Sequence, residues 1–185
     1  LDDYHVLNIA TRGDFDLETR SNPSNVVQFL TYFTVPANIR FQLYRPLVVI
    51  TFGINFMMAG IDPFVYQLTN LLLFAGAGFV LMRLMRVLLP QASSFALAAG
   101  LMVFYLSPVQ LEVASWGSAR SETLLFMFGA SALAAKIRRP DRLFLPYALC
   151  VAALCSKESA LIYLFALIIV DVLGVGADLS APLRT

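Results

Sequence analysis

The sequence predicts an all-α, polytopic membrane protein, and three observations carry that prediction. Hydrophobic residues make up 59% of the 185 and charged residues only 14%, where an average soluble domain has roughly a quarter charged. Mean hydropathy is +0.75. From Pro46 onward the apolar residues gather in runs of helix length, separated by short segments holding Pro, Gly and charge. Thirteen Lys+Arg against twelve Asp+Glu leave a net charge of +1, so nothing points to a nucleic-acid partner. Disorder, a disulfide scaffold and an ordinary soluble enzyme are excluded together.

Residues 1–62 form the first region, a non-cytoplasmic loop, and hold ten of the 25 charges. Its first 45 residues are polar and turn-rich, with Asn22-Pro23 and Pro36 interrupting any long periodicity. The opening Leu1-Asp2-Asp3 is expected to follow directly on a hydrophobic segment, the chain being a fragment. Pro46 to Ala59 carries no charge but spans 14 residues. Crossing a bilayer takes about 20, so an interfacial helix is predicted over 46–59. Asp62-Pro63 reads as a helix start, Asp as N-cap and Pro in the first turn.

About five transmembrane helices are predicted within 63–174: 63–89, 93–107, 121–135, 143–155 and 159–174. Ser107-Pro108-Val109-Gln110 fits a capping box, and Ser156 is expected to cap the helix starting at Lys157. Residues 175–185 read as an exit loop. Cys150 and Cys155, five apart in an apolar run, read as buried thiols without a disulfide. The densest basic cluster is Lys136, Arg138, Arg139 and Arg142, and Arg83 and Arg86 fall on the same side if the spans alternate. The positive-inside rule makes that side cytoplasmic, although Arg12, Arg20, Arg40 and Arg45 run against it.

The opposite face then gathers Asp2, Asp3, His5, Arg45, Gln67, Glu112, Arg120, Lys157 and Glu158. Ionisable groups beside a membrane are costly unless paired or hydrated, so their convergence marks a site. Acids with cations suit a reaction that releases an anionic group: a carboxylate accepts a hydroxyl proton while Arg or Lys neutralises a phosphate. Each residue also has a structural reading. Asp2-Asp3 is equally a solvated loop start, Glu112 with Arg120 an ion pair joining two helix ends, and Arg45 a snorkelling anchor. Lys157-Glu158 is equally a helix N-terminus, and Trp116 an aromatic-belt anchor. His5 is the sole histidine, which excludes a His-rich metal site.

The order of these residues is more specific than any one of them. Leu1-Asp2-Asp3-Tyr4 is followed by Tyr44-Arg45-Pro46-Leu47 and by Asp62-Pro63-Phe64-Val65-Tyr66-Gln67. Pro108-Val109 with Glu112, Trp116 and Arg120 comes next, and Ser156-Lys157-Glu158 closes the series. The series resembles the GT-C membrane glycosyltransferases, above all the branch of the transmembrane-and-tetratricopeptide O-mannosyltransferases, their bacterial relatives and the protein O-mannosyltransferases. The resemblance implies a GT-C-like helix bundle whose first external loop carries the interfacial helix.

It further implies transfer of a sugar, mannose or another hexose, from a polyprenyl-phosphate donor to an acceptor hydroxyl, with inversion, on the non-cytoplasmic face. Asp2 or Asp3 takes the place of the catalytic base. Arg45, Gln67, Glu112, Arg120, Lys157 and Glu158 take the places that meet lipid phosphate and acceptor. The implied partners are that donor, a protein or glycan acceptor and membrane lipid. No metal site is assigned and no cofactor is certain; a divalent cation is the one left open, with Glu112 orienting the acceptor or that cation. The implied location is a bacterial inner membrane in preference to the endoplasmic reticulum, with the fragment inactive alone.

The chain departs from the family where His is frequent: at Ser107, Gln110 and Gln67, and near Phe74. The alternative reading is a non-catalytic polyprenyl-lipid-binding protein or transporter, which acids deep within spans would favour. Asp171 alone has that position, while the other acids stand towards one face. A third reading is an assembly module using small-residue faces such as Gly76-Ala77-Gly78.

Overall fold

The computed structural model describes residues 45–60, 62–116 and 119–172, and among these the chain is helices and turns with no strand. In chain order they are α1 (Pro46–Ala59), α2 (Pro63–Leu88), α3 (Ser94–Leu106), α4 (Pro108–Ser115), α5 (Arg120–Arg138) and α6 (Phe144–Leu154). A 3₁₀ turn at Glu158–Ala160 leads into α7 (Leu161–Val172). The exit loop expected after 174 and the first 44 residues of the expected external loop lie outside the described residues.

Local chemistry sets several boundaries. The Asp62 carboxylate accepts the Phe64 N–H at 3.0 Å, and Pro63 fills the first helical position, where no N–H is needed. Ser93 caps α3, its Oγ accepting the Ala96 N–H at 3.2 Å. Gly60 ends α1 with φ +64°, a conformation that a side chain would make costly. The turn expected between the second and third spans contains a helix of its own, α4. The Gln110 N–H bonds the Ser107 backbone carbonyl at 3.0 Å as it begins. Ser156 differs from expectation. It is fully buried, and its hydroxyl donates back to the Ala152 carbonyl at 3.0 Å, because a dry hydroxyl takes the nearest free acceptor.

Helix α5 is the axis of the bundle, with α2 packed along it and α6 and α7 packed beside it. Ala132, Cys150 and Leu167 form one buried cluster where α5, α6 and α7 meet. Val48, Phe52, Tyr66 and Leu124 form another, joining α1, α2 and α5. Small residues permit the closest approaches. The Tyr163 ring of α7 covers Gly129 of α5, and Tyr105 of α3 covers Gly78 of α2, each filling the space a Cβ would need. Tyr105 then donates its hydroxyl proton to the Phe74 carbonyl at 3.0 Å.

Helix α1 lies across one end of this bundle. At its start the Leu47 N–H bonds the Cys155 carbonyl at 3.2 Å, just past the end of α6. At its finish the Gly60 carbonyl accepts the Tyr66 hydroxyl at 2.9 Å, in the second turn of α2. Between them Phe52 packs on Tyr66 at 5.9 Å between ring centroids. Both ends of α1 are thus tied to the same end of the bundle.

Length separates α2 from its neighbours. Its 26 residues measure about 39 Å, and among the described residues it is the one helix long and apolar enough to cross a membrane. Helices α3, α6 and α7 have 13, 11 and 12 residues. At roughly 17–20 Å each they fall short of a hydrocarbon layer of about 30 Å. Each predicted span therefore holds a helix, but among the described residues only α2 is both long and apolar enough for a complete crossing, since α5 has 19 residues but carries charges at both ends. Large apolar side chains remain exposed on the outer faces, among them Phe79, Phe95, Met102, Phe144, Ile162 and Phe165.

Candidate functional site

The end of the bundle capped by α1 carries the start of α2, helix α4, the start of α5 and the 155–158 turn. Arg45, Gln67, Glu112, Arg120, Lys157 and Glu158 all stand on these elements. Asp2, Asp3 and His5 lie outside the described residues, and Glu112 is placed on α4 while its side chain is not described.

Two cations are brought together with carboxylates across long stretches of sequence. Arg45 donates through Nη2 to Glu158 at 3.1 Å, with the two side chains 25% and 50% exposed. Lys157 pairs with Glu122, from the first turn of α5, where the helix N-terminus favours an acid. Burial pushes the Glu158 carboxyl upward, but the Arg45 hydrogen bond and the charges of Arg45 and Lys157 prevail and hold it below its ordinary value. The Arg45 Nε is buried and carries no hydrogen bond among the described residues. One side of the guanidinium is therefore occupied by a carboxylate.

Glu122 also lines an apolar recess of about 380 Å³. Its walls include Phe74, Phe104 and Phe126, with Gln110 contributed by α4. The Phe104 ring lies between the others, 6.4 Å from Phe74 and 6.0 Å from Phe126 between centroids. The recess combines an aromatic lining with a paired acid and lysine at its edge. Sequence reasoning did not single out Glu122. Its position two residues after Arg120 placed it on the same face, but the partner Lys157 is 35 residues away.

Arg120 is placed differently. It is 2% exposed, lies with Cζ 4.0 Å from the centroid of the Phe52 ring, and donates to Asn70 Oδ1 at 2.7 Å. It donates further to the Tyr66 carbonyl at 3.2 Å and Thr51 Oγ1 at 3.3 Å. The guanidinium is thus committed to α1 and α2, where it fixes the crossing helix to the bundle. The expectation of a phosphate ligand here meets a buried clamp, because a planar five-donor group finds carbonyl and amide oxygens on both neighbouring helices. Asn55 joins the same polar seam, accepting from Thr69 Oγ1 at 3.1 Å. Gln67 points to α4, its Nε2 donating to the Ala114 carbonyl at 3.1 Å, and so positions the turn that carries Glu112. Trp116 is exposed at the end of that turn.

Among the described residues no group of three or more His, Cys, Asp or Glu could hold a metal ion. Asp171 is the one acid whose position favours the lipid-handler reading. That carboxylate is engaged at the other end of the bundle by Lys136 Nζ at 2.5 Å and by the Tyr147 hydroxyl at 2.8 Å.

The described residues thus form an all-helical bundle with two cation–carboxylate pairs and an aromatic recess at one end. The chain is 27% identical over 124 residues to the protein O-mannosyl-transferase TMTC3 of Mus musculus, and equally so to that of Homo sapiens. Each match covers 62% of this chain and 13% of the relative's length, a distant TMTC-like relationship. No family model matches the chain, and no solved structure does.

Proposed function

We propose that this chain is part of a GT-C-type membrane glycosyltransferase that moves a sugar from a polyprenyl-phosphate donor to an acceptor hydroxyl at the end of the bundle capped by α1. The observation that carries the reading is the pairing of Arg45 with Glu158 and of Lys157 with Glu122 beside the aromatic recess. Adjacent residues of one turn, Lys157 and Glu158, tie two cations to two carboxylates. A phosphate arriving at this turn exchanges one carboxylate for another anion at little electrostatic cost. The distant relationship to a protein O-mannosyl-transferase supports the same class of reaction.

In this mechanism Asp2 or Asp3 takes the proton from the acceptor hydroxyl. The oxygen attacks the anomeric carbon from the face opposite the phosphate, and the carbon–oxygen bond to the phosphate breaks with inversion. The electron pair leaves on the lipid phosphate, whose developing charge Arg45 and Lys157 stabilise. Glu158 and Glu122 hold those cations in place until the donor arrives, and the first isoprene units lie against Phe74, Phe104 and Phe126. Arg120 is a positioning residue that fixes α1, and hence Arg45, to the bundle. The exposed apolar outer faces support a multi-pass membrane placement, with the shorter helices completed by their turns.

The test is sugar transfer from polyprenyl-phosphate hexose donors in membranes carrying the full-length protein, beside its Asp2→Asn/Asp3→Asn variant. Transfer that disappears in the variant, with unchanged membrane insertion, supports the reading. Donor retention without transfer in either protein replaces it with the lipid-binding alternative.

A further inference from the structure

The far end of the bundle, away from α1, carries a second concentration of charge that the proposed reaction does not use. Arg83 and Arg86 come from the last turns of α2, Arg138 from the end of α5, and Arg139 and Arg142 from the turn before α6. All five are exposed, and among the described residues none enters an ion pair. The fourth cation of the predicted cluster, Lys136, does not belong with them. It is 1% exposed and held by Asp171 and by the Pro140 carbonyl at 3.1 Å, so Asp171 is already engaged. Asp141 lines the first recess beside the arginines.

These side chains border two recesses of about 750 and 700 Å³, and Arg83 and Arg138 line both. The walls between them are apolar: Leu145 and Pro146 in the first, Phe79 and Leu97 in the second. Charge bias alone, of the kind that orients a membrane protein, requires basic residues near the membrane but no shared concavity. Here guanidinium groups from two helix ends and one turn converge on adjoining hollows with greasy sides. A planar fork of donors binds a phosphate diester through paired hydrogen bonds, and the apolar walls accept the glycerol and upper acyl carbons.

We infer that this end of the bundle is a binding site for the headgroup of an anionic glycerophospholipid, held chiefly by Arg83 and Arg138. The inference rests on the membrane placement proposed above, but not on sugar transfer. The site is separate from the recess at the opposite end, so the lipid it holds is a structural or regulatory ligand and not the donor.

The test uses full-length protein in nanodiscs of phosphatidylcholine containing a minor fraction of phosphatidylglycerol, with retained lipid measured by native mass spectrometry after release. Incorporation into nanodiscs is scored first, and a chain that does not enter them removes the membrane placement itself. Selective retention of phosphatidylglycerol is expected, weakened about 25-fold in Arg83→Gln/Arg138→Gln if each arginine contributes as a basic residue at an anionic surface does. Ala92→Trp, which fills the second recess without changing charge, is expected to weaken it as well. Equal retention of both lipids overturns the inference. So does a preference that Ala92→Trp leaves intact, which makes it unspecific attraction, or one that inorganic phosphate abolishes, which makes free phosphate the ligand.

Discussion

Arg120 and Lys157 stand at the same end of the molecule and carry the same charge, yet their surroundings assign them opposite work. Arg120 is sealed between Phe52 and the oxygens of Asn70, Thr51 and Tyr66. Lys157 is a quarter exposed and faces one carboxylate. A cation that donates to three neutral oxygens in a dry seam cannot be released without leaving those oxygens unpaired. A cation paired with a half-exposed carboxylate exchanges its partner at little cost, since an ion pair in that setting contributes only about 0–1 kcal/mol. The difference between holding the fold and the proposed handling of a ligand is therefore one of partner and burial, not residue type.

Substitution at the two positions is the strongest way to break this comparison. Arg120→Leu is expected to lower stability by more than about 4 kcal/mol, since it removes three charge-assisted hydrogen bonds of about 1.5–3 kcal/mol each and leaves their oxygens behind. Chemical denaturation of the purified full-length protein reads that loss, and a variant as stable as the parent would remove the clamp. Lys157→Met is expected to leave the denaturation midpoint nearly unmoved and to lower sugar transfer on the order of 10²–10³-fold. Equal effects of the two variants on stability would erase the distinction drawn here.

Gly129→Ala sharpens the comparison from the packing side. The added methyl meets the Tyr163 ring, and overpacking of this kind costs about 1–3 kcal/mol. The double variant Gly129→Ala/Tyr163→Leu should recover much of it, as thermal unfolding would reveal. The smallest effect is expected at Glu158. Its carboxyl is held below its ordinary value of 4.5, so its pairing stabilises the fold above that pH and is lost as pH falls through the lowered value. Glu158→Gln and the parent should differ slightly at neutral pH and converge in acid. A difference that grows on acidification would contradict the sign.

Much of the helical framework was legible because its signals are local. Asp62-Pro63 announces a helix start by capping geometry alone, and the charge-free stretch from Pro46 meets its end at a glycine that can take positive φ. The partners were not legible. Arg120 and Lys157 look alike in sequence, and which one turns inward depends on α1 crossing above α5. Ser156 was expected to cap forwards and bonds backwards, because its burial removes water as the competing partner. Lys136 sits in a run of arginines and leaves it to meet Asp171. In each case the deciding neighbour comes from another helix, which no local pattern encodes. The short helices illustrate the same point: their apolar composition was evident, while their length depended on where the turns settled.

The crossing of α1 also orders events in time. Its first turn is held by the Cys155 carbonyl, and Arg45 meets Glu158 across 113 positions of sequence. During synthesis α1 emerges before any of the bundle it rests on, and it has no complete seat until the 155–158 turn has been made. Closing so long a loop is entropically slow compared with pairing neighbouring helices. The end proposed to bind the donor is therefore expected to be the last part of this region to assemble. Until then the emerging chain keeps Arg45 and Lys157 apart, and the chemistry they are proposed to share begins only when the fold is finished.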